Sequence, residues 1–457
     1  MTQTNVGFKS KHLAISLEPT IRFGRLQDSP IALKHTYIME DLHFNNHQHT
    51  DGLGLKMGVK TSRPLVLKEF RQIASEYDDV VKNNSKHVEF NLILNGDIFD
   101  LLESWPASID PADPSTHLKT VFQVLDEIEE SHPEVMAALK ELLQRDKVRI
   151  HYVLGNHERW LKNPQAQAYL KKKLGLESGD PRLEFTRQYY DPDFKLLCIH
   201  GDQFDPFCKP PADGLLNTSE KLDIKVIKKL LDTLPHTLEK MGYPNNVVEK
   251  VHEVVGDVEY VRPVQQMFAF LFNELTLLEK NLKKEKEKNS KLPSILSVVR
   301  DQSVKLIQEA FPEKEGMKWL SRWGIKHTLT HSYTQTILSW LLSKNIKLVR
   351  DDKNQLKHAK QFLENFKHPV QLMVLGHTHK PLQEHIQYRH QGVEKSCKVL
   401  NIGSYKKTIF YPEGEEIYPS GMLRLAWDNE TFEDVTVNFY QSQQWRVPSA
   451  KRHLSFA

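Results

Sequence analysis

Short apolar runs recur along the chain, and five of them are followed by a side chain that can bind a metal or carry a proton. Such runs, about four to eight residues long, are typical of strands buried on both faces of a sheet. The five runs, each with the residue that follows it, are 35–40 with Asp41, 92–94 with Asp97, 148–154 with Asn156, 194–199 with His200, and 371–375 with His377. Because open α/β sheets keep their chemistry at the carboxyl ends of strands, the pattern predicts one sheet with a shared site along that edge.

Helical periodicity fills several of the intervals between these strands. Apolar residues recur at helical spacing over 64–83 and over 117–145, and Pro133 predicts a break in the second of these helices. Residues 206–369 carry few strand signals, which predicts an α-helical insertion over the site. Its helical runs are 222–241, 260–282 and 330–344.

The two ends of the chain also favour strands. An edge strand is expected near 13–17. After residue 380, strands are predicted at 397–403, 421–427 and 433–440, the last two joined as a hairpin about Asp428.

Composition restricts the class of protein. With 457 residues, 39% apolar and 26% charged, the chain has the make-up of a soluble globular protein of two or three domains. A net charge of +3 gives no strong nucleic-acid signal. Three cysteines without a CxxC pair, no secretory signal and no run of 18 apolar residues predict a cytoplasmic protein.

One part of the predicted insertion leaves two interpretations open. Residues 267–272 are strongly apolar, and 279–291 follow with six lysines and three glutamates. This pattern fits a solvated helix end beside a buried helix. It also fits an amphipathic flap for an acyl or anionic substrate, or for peripheral contact with a membrane surface.

Five motifs in a fixed order carry a family resemblance. They are DLH at 41–43, GDIFD at 96–100, GNHE at 155–158, HGD at 200–202 and GHTH at 376–379. This set resembles the calcineurin-like metallophosphoesterase superfamily over about 37–205 and 370–440. The resemblance implies an α/β fold, a four-layer sandwich of two mixed β-sheets flanked by helices. The metallophosphoesterase domain would comprise 1–205 and 370–457, with 206–369 as the helical insertion.

The resemblance also implies two adjacent metal ions. The first would be held by Asp41, His43, Asp97 and His379, and the second by Asp97, Asn156, His200 and His377. Mixed carboxylate, amide and imidazole donors favour Mn²⁺, with Fe or Zn²⁺ as alternatives, over ions that prefer oxygen alone or thiolates. Two such ions about 3.5–4 Å apart can hold a bridging hydroxide as the nucleophile, so no protein nucleophile is required.

Further residues match other positions of the family pattern. His157 matches the general acid or leaving-group stabiliser, and Asp100 matches the carboxylate that orients it. Arg159 and Arg262 are candidate phosphate clamps for substrate binding, with surface ion pairs as the alternative.

Departures from the pattern narrow the expected activity. Protein phosphatases of the superfamily continue the second motif as GDxVDRG, whereas Leu101 and Leu102 follow Asp100 here. The leucines, HGDQFD at 200–205 and the insertion look more like the UDP-2,3-diacylglucosamine pyrophosphohydrolases. Those enzymes have a shorter insertion and usually arginine where His157 stands, so only a small-molecule or lipid-linked phosphorylated substrate is expected.

The sequence thus predicts a dinuclear-metal hydrolase of phosphoester or pyrophosphate bonds. A nuclease or cyclic-nucleotide phosphodiesterase on the same metal centre is the alternative, and a nuclease should show a basic, aromatic-lined track. A non-catalytic scaffold is the third hypothesis. Such a protein should have lost ligands, and all seven are present here.

Overall fold

Helices and strands alternate through the first half of the chain. The computed structural model describes residues 33–46, 63–83, 88–106, 109, 113–205, 226–227, 229–258, 261–262, 267–286, 292–310, 352–379, 382–405, 408–410, 415–417, 419–428 and 436–441. The helices are α1 (Arg63–Asn83), α2 (Pro114–Ser131), α3 (Pro133–Leu143), α4 (Pro164–Lys173), α5 (Lys229–Lys240), α6 (Asn245–Val258), α7 (Met267–Lys286), α8 (Ile295–Ala310) and α9 (Asp352–Asn365). The strands are β1 (Leu33–Met39), β2 (Val88–Asn95), β3 (Val148–Val153), β4 (Leu183–Thr186), β5 (Tyr189–Asp191), β6 (Leu196–Ile199), β7 (Val261–Arg262), β8 (Leu372–Leu375), β9 (Leu382–His390), β10 (Val393–Asn401), β11 (Thr408–Phe410), β12 (Glu415–Ile417), β13 (Pro419–Asp428) and β14 (Thr436–Gln441).

Two mixed sheets form the body of the structure. The six-stranded sheet has the order β14-β13-β1-β2-β3-β4, with β1 to β4 parallel and β13 antiparallel to both neighbours. The five-stranded sheet has the order β5-β6-β8-β10-β9, with parallel inner strands and antiparallel edges. The two mixed sheets that the family resemblance implies are confirmed. The single sheet expected from the apolar runs is wrong, because β1, β2 and β3 lie in one sheet and β6 and β8 in the other.

Alternation within the strands explains why their sequences are apolar throughout. In β6, Leu196 and Cys198 join the cluster between the two sheets, whereas Leu197 and Ile199 join the cluster under α9. A third cluster packs helices α1 to α4 on the outer face of the six-stranded sheet. Both sheets are thus covered on both faces by apolar residues, and the fold fits an α/β sandwich.

Prolines and polar caps define where the helices begin. Three helices start at Pro114, Pro133 and Pro164, a position where the missing N–H is not needed. Asp113 caps α2 by accepting from the Ser115 N–H at 3.0 Å, and Asn163 caps α4 in the same way. The helix predicted at 64–83 and the break predicted near Pro133 are confirmed.

The described part of the region 206–369 is helical apart from strand β7 and short connecting segments. Helices α5 to α8 share an apolar cluster of their own, which includes Leu234, Val251, Leu275 and Val299. One boundary is corrected, because the run predicted over 260–282 contains β7, and the helix begins at Met267. Helix α9 packs on the five-stranded sheet, while the division into 1–205 plus 370–457 and 206–369 stays a prediction.

Three predicted segments lie outside the described residues: the edge strand at 13–17, the helix at 330–344 and the charged stretch 287–291.

The strands after 380 are confirmed, with β13 and β14 paired antiparallel as the predicted hairpin requires. Strand β9 was not predicted, because most of its residues are polar and buried side chains alternate with exposed ones only at Ile386, Tyr388 and His390.

Within the part of the chain that the structure describes, none of the helices is long and apolar enough to span a bilayer.

Two buried histidines that are not proposed ligands should make the folded protein less stable in mild acid. Burial, followed by the charge of Arg424, lowers the pKa of His35 to about 4. Burial, followed by the charge of Arg63, lowers the pKa of His132 to about 4 as well. The unfolded chain takes up these protons at higher pH than the folded chain. The free energy of unfolding should therefore fall by on the order of 2 kcal/mol per histidine as the pH drops from about 6.5 to about 4.

Chemical denaturation at about pH 7 and about pH 4.5 tests this expectation. His132→Gln should reduce the pH dependence, whereas the exposed His236→Gln should leave it unchanged. The same pH dependence in both variants and the wild type would contradict it.

Candidate metal centre

The predicted ligands meet where the carboxyl ends of strands from both sheets face each other. The loop after β1 pairs with the loop after β2, with the Asp41 N–H donating to Gly96 O at 3.1 Å. The loop after β8 reaches the loop after β1, with the His377 N–H donating to Asp41 Oδ2 at 3.0 Å. The site therefore lies between the two sheets rather than along the edge of one.

Asp41, His43 and His379 form a first group, in which one ligand atom of each lies within 4.8 Å of the others. His43 Nε2 is 2.9 Å from His379 Nε2. Asp41 Oδ1 is 3.8 Å from the His43 nitrogen and 3.7 Å from the His379 nitrogen. Two nitrogens bound at right angles to one ion at about 2.1 Å would be about 3 Å apart, close to the separation of the two histidines. The group can hold a divalent ion.

Asp97, His200 and His377 form a second group within the same distance limit. His200 Nε2 lies 3.0 Å from Asp97 Oδ2 and 3.2 Å from Asn156 Oδ1, which adds the amide oxygen to the group. His200 Nδ1 is 3.2 Å from the carbonyl oxygen of Asn95, and only an N–H can donate to a carbonyl. In the neutral ring Nε2 is thus the nitrogen left to bind a cation.

Asp97 connects the two groups. Its Oδ2 lies 3.0 Å from His200 Nε2 in the second group and 4.0 Å from His43 Nε2 in the first. Its Oδ1 accepts from the His157 N–H at 3.0 Å, which fixes the carboxylate plane. A carboxylate held in this way can bridge two cations.

The backbone is strained at most of the proposed ligands. Positive φ angles occur at five of them: Asp41 (51°), His43 (50°), Asp97 (51°), His377 (73°) and His379 (58°). Only two further non-glycine residues within the described ranges adopt positive φ. Such conformations cost on the order of 1–3 kcal/mol each and persist where the surroundings impose them, typically at functional sites.

The glycines of three motifs allow ligands from other loops to approach. A Cβ at Gly155 would lie 2.6 Å from the backbone nitrogen of Asp97. A Cβ at Gly376 would lie 2.9 Å from Asp41 Oδ2, and one at Gly96 would overlap the ring of His200. Each glycine therefore makes room for a ligand from a different strand end. This explains why a glycine directly precedes the proposed ligand in the GD, GN and GH pairs.

Asp100 contacts two histidines at once. Its Oδ1 lies 2.5 Å from His157 Nδ1, and its Oδ2 lies 2.8 Å from His43 Nδ1. The predicted pairing with His157 is present, and the contact with His43 was not anticipated. Asp100 therefore orients a proposed metal ligand as well as the proposed acid.

Opposite charges dominate the electrostatics of the site. Burial by itself lowers the pKa of His157, but the charges of Asp100 and Asp97 outweigh it and raise the pKa to about 10. Burial is likewise outweighed at His200, where Asp97 is the main partner and the pKa rises to about 10. At Asp97, burial alone would raise the pKa, yet the charges of His157 and His200 hold it well below its usual range. The charges around Asp97 therefore favour its ionised form, which is the form that binds a cation.

Sequence reasoning missed Glu158, the last residue of the GNHE motif. Its buried carboxylate accepts from the N–H groups of Asp97 (2.9 Å), Ile98, Phe99 (3.0 Å) and Gly155 (3.1 Å), and from the Tyr152 hydroxyl (2.9 Å). Burial, followed by the charge of Asp97, raises the pKa of Glu158 to about 7. Glu158 thus fixes the backbone that carries the bridging aspartate, and its position inside a motif was the available signal.

We expect Glu158→Gln to weaken both the fold and metal binding. An amide presents one acceptor oxygen where the carboxylate has two, so buried N–H groups lose a partner at a cost of about 1–3 kcal/mol each. Denaturant unfolding and metal titration should both show the loss. The exposed Glu130→Gln in α2 is the control, and a Glu158→Gln protein that matched it in both measurements would contradict the role.

The candidate phosphate clamps are placed differently. Arg159 is buried, its Nε donates to the Asn156 carbonyl oxygen at 3.1 Å, and its guanidinium lies 5.6 Å from the centre of the Trp160 ring. It supports the loop of a proposed ligand, and its role towards substrate stays a prediction. The side chain of Arg262 lies outside the described residues.

Comparison with known proteins does not place the chain in a family. No protein-family model matches it, and no curated protein matches it. The case for its chemistry therefore rests on the buried histidine and aspartate groups, which could coordinate metal ions.

Proposed function

We propose that this protein is a dinuclear-metal hydrolase of phosphoester or pyrophosphate bonds, related to the calcineurin-like metallophosphoesterases. The observation that carries the proposal is the position of Asp97, whose Oδ2 faces histidines of both ligand groups, at 3.0 Å and 4.0 Å. A single buried metal would not need histidines of two groups around one carboxylate oxygen. Two adjacent divalent ions would use all of them.

The donor set fits the proposed ions. Four imidazoles, two carboxylates and one amide oxygen are the ligand types that suit Mn²⁺, Fe or Zn²⁺, and we propose Mn²⁺ first. When bound, the two ions would polarise a phosphoryl group and activate water near neutral pH.

His157 is the proposed proton donor to the leaving group. Its side chain is 12% exposed, whereas those of His43 and His200 are fully buried. Asp100 holds Nδ1 at 2.5 Å, and Nε2 lies 3.7 Å from Asp97 Oδ2, beside the ligand groups. Burial lowers the pKa of His157, but the Asp100 carboxylate raises it and so favours the protonated ring, which can give a proton to the departing oxygen.

Hydrolysis of bis(p-nitrophenyl) phosphate with added Mn²⁺ tests the proposed reaction. We expect metal-dependent release of p-nitrophenol. Screening lipid-linked diphosphates, nucleotides, cyclic nucleotides and single-stranded DNA would then separate the proposed substrate classes from a nuclease or a cyclic-nucleotide phosphodiesterase. Protein that binds two metal ions but hydrolyses none of these compounds would favour a non-catalytic scaffold instead.

A further inference from the structure

Arg187 connects two loops that carry proposed ligands. It lies in the turn between β4 and β5, and its Nη1 donates to the carbonyl oxygens of Leu154 (2.6 Å) and Gly155 (3.3 Å). Its Nη2 donates to both carboxylate oxygens of Asp202, at 2.9 Å and 2.7 Å. The Asp202 side chain is fully buried, whereas that of Arg187 is 33% exposed.

The two loops held in this way belong to different sheets. Leu154 and Gly155 follow β3 of the six-stranded sheet and lead directly into Asn156. Asp202 follows β6 of the five-stranded sheet, two residues after His200. The distance between Asn156 Oδ1 and His200 Nε2 is 3.2 Å, and both residues belong to the second ligand group.

We propose that Arg187 is a positioning residue, which holds Asn156 and His200 at the spacing that the second metal ion requires. The planar guanidinium supplies donors on two nitrogens, so it can contact a carboxylate on one side and two backbone carbonyls on the other. A lysine keeps the charge but has a single nitrogen, which cannot span both loops. The inference rests on the proposed metal centre and not on any particular substrate.

Arg182 provides a matched control. Its guanidinium also contacts a carboxylate, with Nη2 at 2.6 Å from Asp180 Oδ2, and a backbone carbonyl, with Nη1 at 2.7 Å from Leu143 O. Its side chain has the same exposure of 33%, but it precedes β4, at the end of the sheet away from the ligands.

Titration with Mn²⁺, followed by the electron paramagnetic resonance spectrum of the coupled ion pair, tests the proposal. In wild-type protein two ions should bind and give the coupled spectrum. In Arg187→Lys the second ion should bind about 10- to 100-fold more weakly, and the spectrum should become that of a single ion. Asp202→Asn, which keeps the contacts of Arg187 with the carbonyls, should show the same change to a smaller extent.

Arg182→Lys should bind both ions as the wild type does, although its thermal stability falls like that of Arg187→Lys. Two tightly bound, coupled ions in both Arg187→Lys and Asp202→Asn would overturn the positioning role. Equal weakening in Arg182→Lys would overturn it too, since the effect would then be general destabilisation. Wild-type protein that binds no metal would overturn the metal centre along with it, whereas metal binding without hydrolysis would count only against the hydrolase.

Discussion

Replacing Asp97 with alanine is expected to remove both metal ions and to lower phosphodiesterase activity by more than about 10³-fold. Asp97 is the residue whose carboxylate faces both ligand groups, so its loss removes the donor that the two groups share and leaves the second group without a carboxylate. Loss of one preorganised electrostatic contact typically costs about 10²–10³ in turnover, and here the whole centre would be lost. Metal analysis of the purified variant and the rate on bis(p-nitrophenyl) phosphate measure the two effects.

Asp191→Asn is the matched control for this variant. Asp191 is also a fully buried carboxylate, but it lies in β5, away from the ligand loops. Its Oδ2 is 2.8 Å from the Lys34 Nζ. The control should lose stability and keep both ions. An Asp97→Ala protein that retained two tightly bound ions would contradict the bridging role.

His157→Ala is expected to lower turnover by about 10²–10⁴-fold while both metal ions stay bound. The side chain contacts Asp100 through Nδ1, and the proposed ligand groups are complete without it. Its loss should therefore remove proton donation to the leaving group and not the metal centre. The expected signature is a fall in kcat with unchanged metal content, and a smaller fall for substrates whose leaving group needs no proton.

His151→Ala is the control for that change. His151 is also largely buried and also lies beside a carboxylate, with Nδ1 at 3.4 Å from Glu184 Oε2, but it lies within β3. It should leave turnover unchanged in protein that remains folded. Metal loss in His157→Ala equal to that in Asp97→Ala would show that the two roles are wrongly assigned.

The positions of the proposed ligands were predictable because local sequence determines them. An apolar run followed by a polar residue, in three cases with a glycine between them, indicates a buried strand end, and strand ends of one fold face a common region. Asp41, Asp97, Asn156, His200 and His377 all follow apolar runs, and the structure brings them together.

Contacts between distant segments were not predictable from local patterns. Whether parallel strands share a sheet depends on pairing across the chain, and the single sheet expected from the apolar runs proved to be two. Arg187 was overlooked for the same reason, since its function is visible only in its contacts, and Glu158 was overlooked although its place in the GNHE motif was a signal. In the sequence each of the two is a charged residue in a loop, which usually indicates a side chain exposed to solvent.

Crystals grown with Mn²⁺ and measured at the manganese absorption edge test the metal pair most directly. The account predicts two anomalous peaks about 3.5–4 Å apart, one on each side of Asp97, with His43 and His379 at the first and His200 and His377 at the second. A single peak, or peaks away from these side chains, would contradict it.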